Sequence, residues 1–225
     1  MNSFRNKRRL TIVGIGGLTS EVGKTTLLCK LLNAFPGWEA IKTTRGHYRS
    51  CGKDPHTCCV SDLLSEEAVV RSGRESTYAV GKDTGKYWEA GAANVHWVIA
   101  TDEQVEAGIN EALGRVKANG VFVEGNSFTE FVKPDFFLMV ARPDQTKIKL
   151  TAKRVLKNIS AIYLSGNARE GERVPVLSGP GLAGIGPDLP VFSPHNFSAL
   201  VERLREMDSR PALNAAANQS SVLAS

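Results

Sequence analysis

The chain has 225 residues, 42% of them apolar and 23% charged, with a formal net charge of +5. That is the make-up of a single globular α/β domain, and no apolar run approaches the roughly 18 residues of a membrane span, so no membrane partner is expected. The basic balance admits nucleic acid, but no stretch interleaves aromatic and basic residues as a base-stacking surface does. Phosphorylated small molecules, which also require positive charge, are the main expectation.

Residues 1–9 form a basic arm, Asn2 to Arg9, ahead of the apolar run Leu10–Ile15, which reads as a first strand. The strand runs straight into a glycine-bearing turn, so the N-terminus does not read as a signal-peptide core and a cytoplasmic protein is expected. The turn is Gly17-Leu18-Thr19-Ser20-Glu21-Val22-Gly23-Lys24-Thr25, followed by the helical run Thr26–Leu32. Strand, Gly-Lys-Thr and helix in this order are the layout of a P-loop. Candidate phosphate-binding positions are therefore Gly17, Thr19, Ser20, Glu21, Val22, Gly23, Lys24, Thr25 and Thr26, whose N–H groups and helix N-terminus can converge on phosphate oxygens. Lys24 would sit near the β- and γ-phosphates of ATP or GTP, and the Thr25 hydroxyl could ligate Mg²⁺. The usual pattern has four residues between its first glycine and Gly-Lys. Here five separate Gly17 from Gly23, and Leu18 stands where the usual glycine would be. A coincidental glycine-rich turn is the plain alternative.

Further along, Trp38–Lys42 reads as a second strand, Thr43–Val60 as a long polar loop, and Ser61–Glu67 as the start of a helix capped by Ser61. Strands are expected at Asn94–Ala100, Gly120–Gly125, Asp135–Ala141, Ile159–Leu164 and Leu189–Phe192. Helices are expected over Asp102–Lys117, with Val105, Ile109, Leu113 and Val116 on one face, over Thr146–Leu156 and over Asn196–Met207. The alternation predicts one doubly wound, mostly parallel sheet with helices on both faces, spanning residues 10–208, and a frayed tail over 209–225. Ligands of such sheets lie beyond the carboxyl ends of the strands, where the loop, Lys42, Glu124 and Asn167 would fall. Glu124, ending a hydrophobic strand, could hold Mg²⁺ or its water shell, or be a capping acid. Asn167 could pair with a purine edge, or be an ordinary turn residue.

His47, Cys51, His56, Cys58 and Cys59 place three of the four cysteines and two of the four histidines within thirteen residues. His47, Cys51, Cys58 and Cys59 could carry zinc, copper(I) or an iron–sulfur cluster, contact a sulfur-bearing substrate, or pack as reduced thiols. No Cys-x2-Cys pair narrows these three readings. Cys29 in the first helix, His96 and the three tryptophans read as core, with Trp88 a further candidate for a pocket wall.

The loop Gly17-x5-Gly-Lys-Thr, with Thr-Ser-Glu-Val before its last glycine, resembles that of dethiobiotin synthetases. These belong to the class of P-loop proteins that includes the cobyrinate synthetases and the nitrogenase iron protein. Lys42, Val123-Glu124-Gly125 and Asn167 fall in that class's order, while Thr19 replaces its early loop lysine. Ile41-Lys42-Thr43-Thr44 followed by Gly81-Lys82-Asp83-Thr84-Gly85-Lys86-Tyr87-Trp88-Glu89-Ala90-Gly91-Ala92 is similar to the molybdopterin-guanine dinucleotide biosynthesis protein B family. This resemblance covers roughly the first 125 residues. It implies a GTP-binding accessory protein for molybdenum-cofactor maturation with weak hydrolysis, a phosphorylated cofactor and a cofactor-maturation protein as partners, and a homodimer. Lys24, Thr25, Lys42, Asp83 and Glu124 carry over as phosphate or metal positions, with Lys24, Lys42 and Glu124 in catalytic roles. The family's histidines after the second strand are here Thr43-Thr44-Arg45-Gly46-His47. The layout beyond Ala141 is closer to the dethiobiotin group and implies the alternative of an ATP-dependent synthetase or kinase for a small carboxylate. A nucleotide-gated metal-delivery protein using the Cys/His loop is the third reading.

Overall fold

A computed structural model describes residues 9–46, 63–166 and 189–209. The strands are β1 (Thr11–Gly17), β2 (Glu39–Arg45), β3 (Val69–Ser72), β4 (Val95–Ala100), β5 (Gly120–Glu124), β6 (Phe136–Ala141), β7 (Ala161–Leu164) and β8 (Val191–Phe192). They form one sheet in the order β3-β4-β2-β5-β1-β6-β7-β8. Every described pairing is parallel except β3 with β4. The helices are α1 (Lys24–Ala34), α2 (Arg74–Thr77), α3 (Asp83–Glu89), α4 (Val105–Arg115), α5 (Leu150–Val155) and α6 (Phe197–Asp208).

Period-two alternation along the buried strands feeds two cores, one on each face of the sheet. On one face Val13, Ile15, Ala40 and Phe122 pack with Leu27, Leu28 and Leu31 of α1, Tyr87 of α3 and Leu200 and Leu204 of α6. On the other, Ile41, Val123, Phe137 and Met139 pack with Ile109 of α4 and Ala152 and Val155 of α5. The doubly wound α/β sheet expected from the alternation of elements is what the structure shows.

Two departures bear on the site. Leu63–Glu67 is not α-helical, and the chain instead enters the antiparallel edge strand β3. The Gln104 amide donates to the carbonyls of Ser65 and Glu66 at 2.9 and 2.8 Å, so these oxygens are committed to a tertiary partner rather than to a helix. The helix expected from Thr146 begins only at Leu150, because the segment before it is tied to the turn after β1.

Candidate functional site

At the carboxyl end of β1 the hydrogen bonding to β6 continues one residue past the strand, where the chain bends at Leu18. The Leu18 N–H donates to the Val140 carbonyl at 3.0 Å, and the Leu18 carbonyl accepts from the Lys149 N–H at 2.9 Å. Leu18 itself is fully buried in the core beneath α4 and α5. The extra residue of the loop is thus absorbed by the strand, and the turn starts at Thr19. Left-handed backbone is needed at Gly23 (φ 91) and at Glu21 (φ 58), the one non-glycine with positive φ among the described residues.

The turn is held from outside. Asn126 grips Gly17 at two points, accepting from its N–H at 2.8 Å and donating to its carbonyl at 3.0 Å. The Gln145 amide donates to the Thr19 hydroxyl at 2.7 Å. Helix α1 then opens at Lys24 with neither a side-chain cap nor an acid in its first turn. The N–H groups of Ser20, Glu21, Gly23 and Lys24 have no acceptor among the described residues. A helix N-terminus left in this state is an anion site.

Beside it lies a packed ionic cluster. Lys42 and Glu124 are register neighbours on β2 and β5. The Lys42 ammonium lies 2.6 Å from Glu124 Oε1 and 2.6 Å from Oδ2 of Asp83, the first residue of α3. Glu124, buried, also accepts from the Thr25 hydroxyl at 3.1 Å and from the Tyr87 hydroxyl. Burial opposes the Lys42 charge, but the Glu124 and Asp83 carboxylates outweigh it and hold its pKa above the ordinary 10.5. Burial likewise opposes the Asp83 charge, and the Lys42 hydrogen bond outweighs it, so Asp83 lies below its ordinary 3.8. Lys24 has no ion pair among the described residues; burial lowers its pKa against the pull of Glu124. Burial lifts the Tyr87 phenol well above 10.0, so it remains a donor.

The structure therefore brings Thr25, Lys42, Asp83 and Glu124 into one cluster beside Lys24 and the turn 19–26. Asn167, His47, Cys51, Cys58 and Cys59 lie outside the described residues. Cys29 is half-buried against the α1-face core, its thiol raised to about 11 by burial and then by the Glu124 charge. Trp88 packs on that same core, its indole N–H 2.9 Å from the Thr77 hydroxyl, and lines neither cleft described below.

Asn126, Gln145, Tyr87 and Lys149 escaped sequence reasoning. Asn126 follows the Val-Glu-Gly strand end by one residue, and Tyr87 lies within the Gly-Lys-Asp block, where an aromatic reads as core. Gln145 and Lys149 carry no local signal, since their roles depend on contacts with residues more than a hundred positions away.

A magnesium ion suits these donors. Thr25, Glu124 and Asp83 offer hard oxygens, and the described residues contain no cluster of three or more His, Cys, Asp or Glu that could cage a metal unaided. Magnesium needs only one or two protein oxygens when phosphates supply the rest.

The turn separates two clefts. One, of about 560 Å³, is lined by Gly23, Thr26 and Lys30 of the turn and α1, by Arg142 and Asp144 after β6, and by Ser165 after β7. The other, of about 350 Å³, opens between the turn, the ends of β2 and β5, and the start of α5. No described helix is long and apolar enough to cross a membrane.

No protein-family profile matches this chain, and no curated protein matches it in sequence. Among solved structures it is similar to LpxK from Aquifex aeolicus in complex with ATP, with a TM-score of 0.46 and 15% identity over 82% of this chain and 53% of that one. It is also similar to the signal recognition particle receptor FtsY from Elizabethkingia anophelis in complex with GDP, with a TM-score of 0.41 and 12% identity over 85% of this chain and 58% of that one. The chain thus spans little more than half the length of either structure.

Proposed function

We propose that this chain is a P-loop nucleotide-binding protein that holds a magnesium nucleoside triphosphate on residues 17–26 and turns it over slowly. The observation that carries this reading is the uncapped N-terminus of α1, whose N–H groups and Lys24 are without partners among the described residues, set against the Thr25–Glu124–Lys42–Asp83 cluster. The turn amides and Lys24 hold the β- and γ-phosphates. Thr25 and Glu124 hold the magnesium ion, with Asp83 adjacent, and the ion neutralises charge on the phosphate oxygens. Lys42, fixed between two carboxylates, orients the γ-phosphate. The 560 Å³ cleft, next to the turn that leads to Asn167, receives ribose and base. Glu124 already accepts three hydrogen bonds and Asp83 is paired, so neither is a free base for water, which supports weak hydrolysis.

The finer reading is a GTP-preferring accessory protein in maturation of a molybdopterin-type cofactor. It is supported by the placement of the Gly81–Ala92 block, which the resemblance singled out: it forms α3 and delivers Asp83 and Tyr87 to the cluster. An ATP-dependent synthetase acting on a small carboxylate is the second reading, favoured by the basic cleft beyond the phosphates.

Calorimetric titration of MgATP and MgGTP into the wild type and Lys24→Ala tests the proposal. One nucleotide binds the wild type, and the substitution weakens it roughly 10- to 100-fold, the worth of a charge-assisted contact. GTP preference favours the cofactor reading and ATP preference the synthetase. If neither nucleotide binds the wild type, the proposal fails.

A further inference from the structure

The 350 Å³ cleft carries more positive charge than the nucleotide reading uses. Its wall includes Lys24, Lys42, Arg45 and Lys149 against one carboxylate, Glu124. Lys42 is neutralised by Glu124 and Asp83, and Arg45 lies 2.7 Å from Asp102. Lys24 is assigned to the nucleotide. Lys149 has no ion pair among the described residues, although it is half-buried. Burial, then the neighbouring Lys24 and Arg45 charges, bring its pKa down to about 8 from 10.5. A second unsatisfied group stands on the same wall: Thr43 Oγ1 is the one buried side-chain polar atom among the described residues that makes no hydrogen bond.

Within this one cleft these groups and the magnesium cluster stand on different sides of the strand ends. Along β2, Ala40 faces the α1 core and Ile41 the α4–α5 core. Alternation then puts Lys42 on the α1 side with Glu124, and Thr43 and Arg45 on the α5 side with Lys149. The nucleotide cluster and the unsatisfied cation thus lie on opposite sides of the strand ends. A half-buried ammonium with no ion pair among the described residues and a buried hydroxyl without a hydrogen bond represent uncompensated desolvation unless a ligand completes them.

We infer that this cleft binds the phosphate group of a second, phosphorylated small molecule, with Lys149 and Thr43 as its principal contacts and Arg45 at its mouth. The cleft is large enough for more than the phosphate alone. The inference rests on the nucleotide reading for the assignment of Lys24, and the test separates the two.

The wild type is saturated with magnesium and the β,γ-imido analogue of the nucleotide it prefers, and inorganic phosphate is titrated in by ³¹P NMR. Phosphate binds the loaded wild type, and Lys149→Met weakens it about tenfold, whereas Lys149→Arg retains it. Affinity for the analogue changes by less than about twofold in Lys149→Met. The hydrogen bonds that tie Lys149 into the described fold are all backbone ones, its N–H to Leu18 and its carbonyl from Ala152 and Lys153, so these variants keep the anchor to Leu18. The inference is overturned if loaded wild type binds no phosphate. It is equally overturned if Lys149→Met weakens the analogue while leaving phosphate unchanged, since the side chain would then serve the nucleotide. If the analogue itself does not bind, the nucleotide reading falls. The cleft assignment then stands only if phosphate binds the free protein and is lost in Lys149→Met but not in Lys24→Ala.

Discussion

Lys42 and Lys149 line the same cleft, yet they contribute to stability with opposite sign. Lys42 compensates a buried carboxylate, so Lys42→Met leaves Glu124 without its ion pair and with only the Thr25 and Tyr87 hydroxyls as donors. Breaking a buried pair costs about 3–5 kcal/mol, and the partial exposure of Lys42 reduces this to roughly 2–3 kcal/mol, read by urea unfolding. Lys149 has no carboxylate partner among the described residues, and its folded-state pKa of about 8 lies below the 10.5 of the unfolded chain. Between these values the unfolded state binds more protons, so wild-type stability attributable to this residue rises with pH. In the ligand-free protein at pH 7, Lys149→Met is therefore more stable than the wild type. That advantage shrinks as pH climbs from 8 towards 10.5. Urea midpoints across this range check it, and a Lys149→Met variant less stable at pH 7 contradicts the picture of an uncompensated cation.

At the scale of elements, β1 is shaped by what must approach it. Cβ atoms at Gly14 would lie 2.7 Å from Phe128 Cζ and 2.7 Å from Phe137 Cδ2, and both rings are fully buried. Gly14→Ala is accordingly destabilising by about 1–3 kcal/mol, an overpacking cost, and adding Phe128→Leu recovers part of it. Thermal unfolding of the single and double variants measures both. The glycines at 14 and 16 were visible in the sequence, but the rings that require them lie more than a hundred residues away. The same distinction divides the rest of the fold. The strand and helix of the loop were legible because Leu27, Leu28, Leu31 and Leu32 repeat at helical spacing after Gly-Lys-Thr. Strand β3 was not, because its four half-buried residues, Val69–Ser72, carry no alternation and owe their pairing to β4. The helix expected at 61–67 fails in its described part for the same kind of reason, the reach of Gln104 from another segment. Within the site, Lys24, Thr25, Lys42, Asp83 and Glu124 belong to recognisable local patterns, whereas the clamps Asn126 and Gln145 exist only through contacts across the fold.

At the scale of the whole molecule, the sheet order sets β1 at the centre with β5 and β6 beside it and β2 one strand further. Their carboxyl ends, with the start of α3 and the segment before α5, all contribute groups to one small region. A nucleotide bound there bridges segments from residue 17 to residue 124, including the ionic cluster and the clamped turn, so the whole domain loses its ligand contacts when it unfolds. Binding to the folded state alone then stabilises by mass action, about 2.7 kcal/mol at a ligand concentration of 100 times Kd. For a domain of this size each kcal/mol moves Tm by about 2–4 °C, so a rise of roughly 5–10 °C is expected with the preferred magnesium nucleotide. At the same ligand concentration Lys24→Ala, bound roughly 10- to 100-fold more weakly, should keep only about 15–50% of it. Chelating magnesium should remove much of it in the wild type, because the phosphates would then face Glu124 and Asp83 without the ion between them. A full shift that survives chelation would place the nucleotide away from Thr25 and Glu124, most simply in the 560 Å³ cleft alone. A shift shared equally by Lys24→Ala would remove the turn from the binding site altogether.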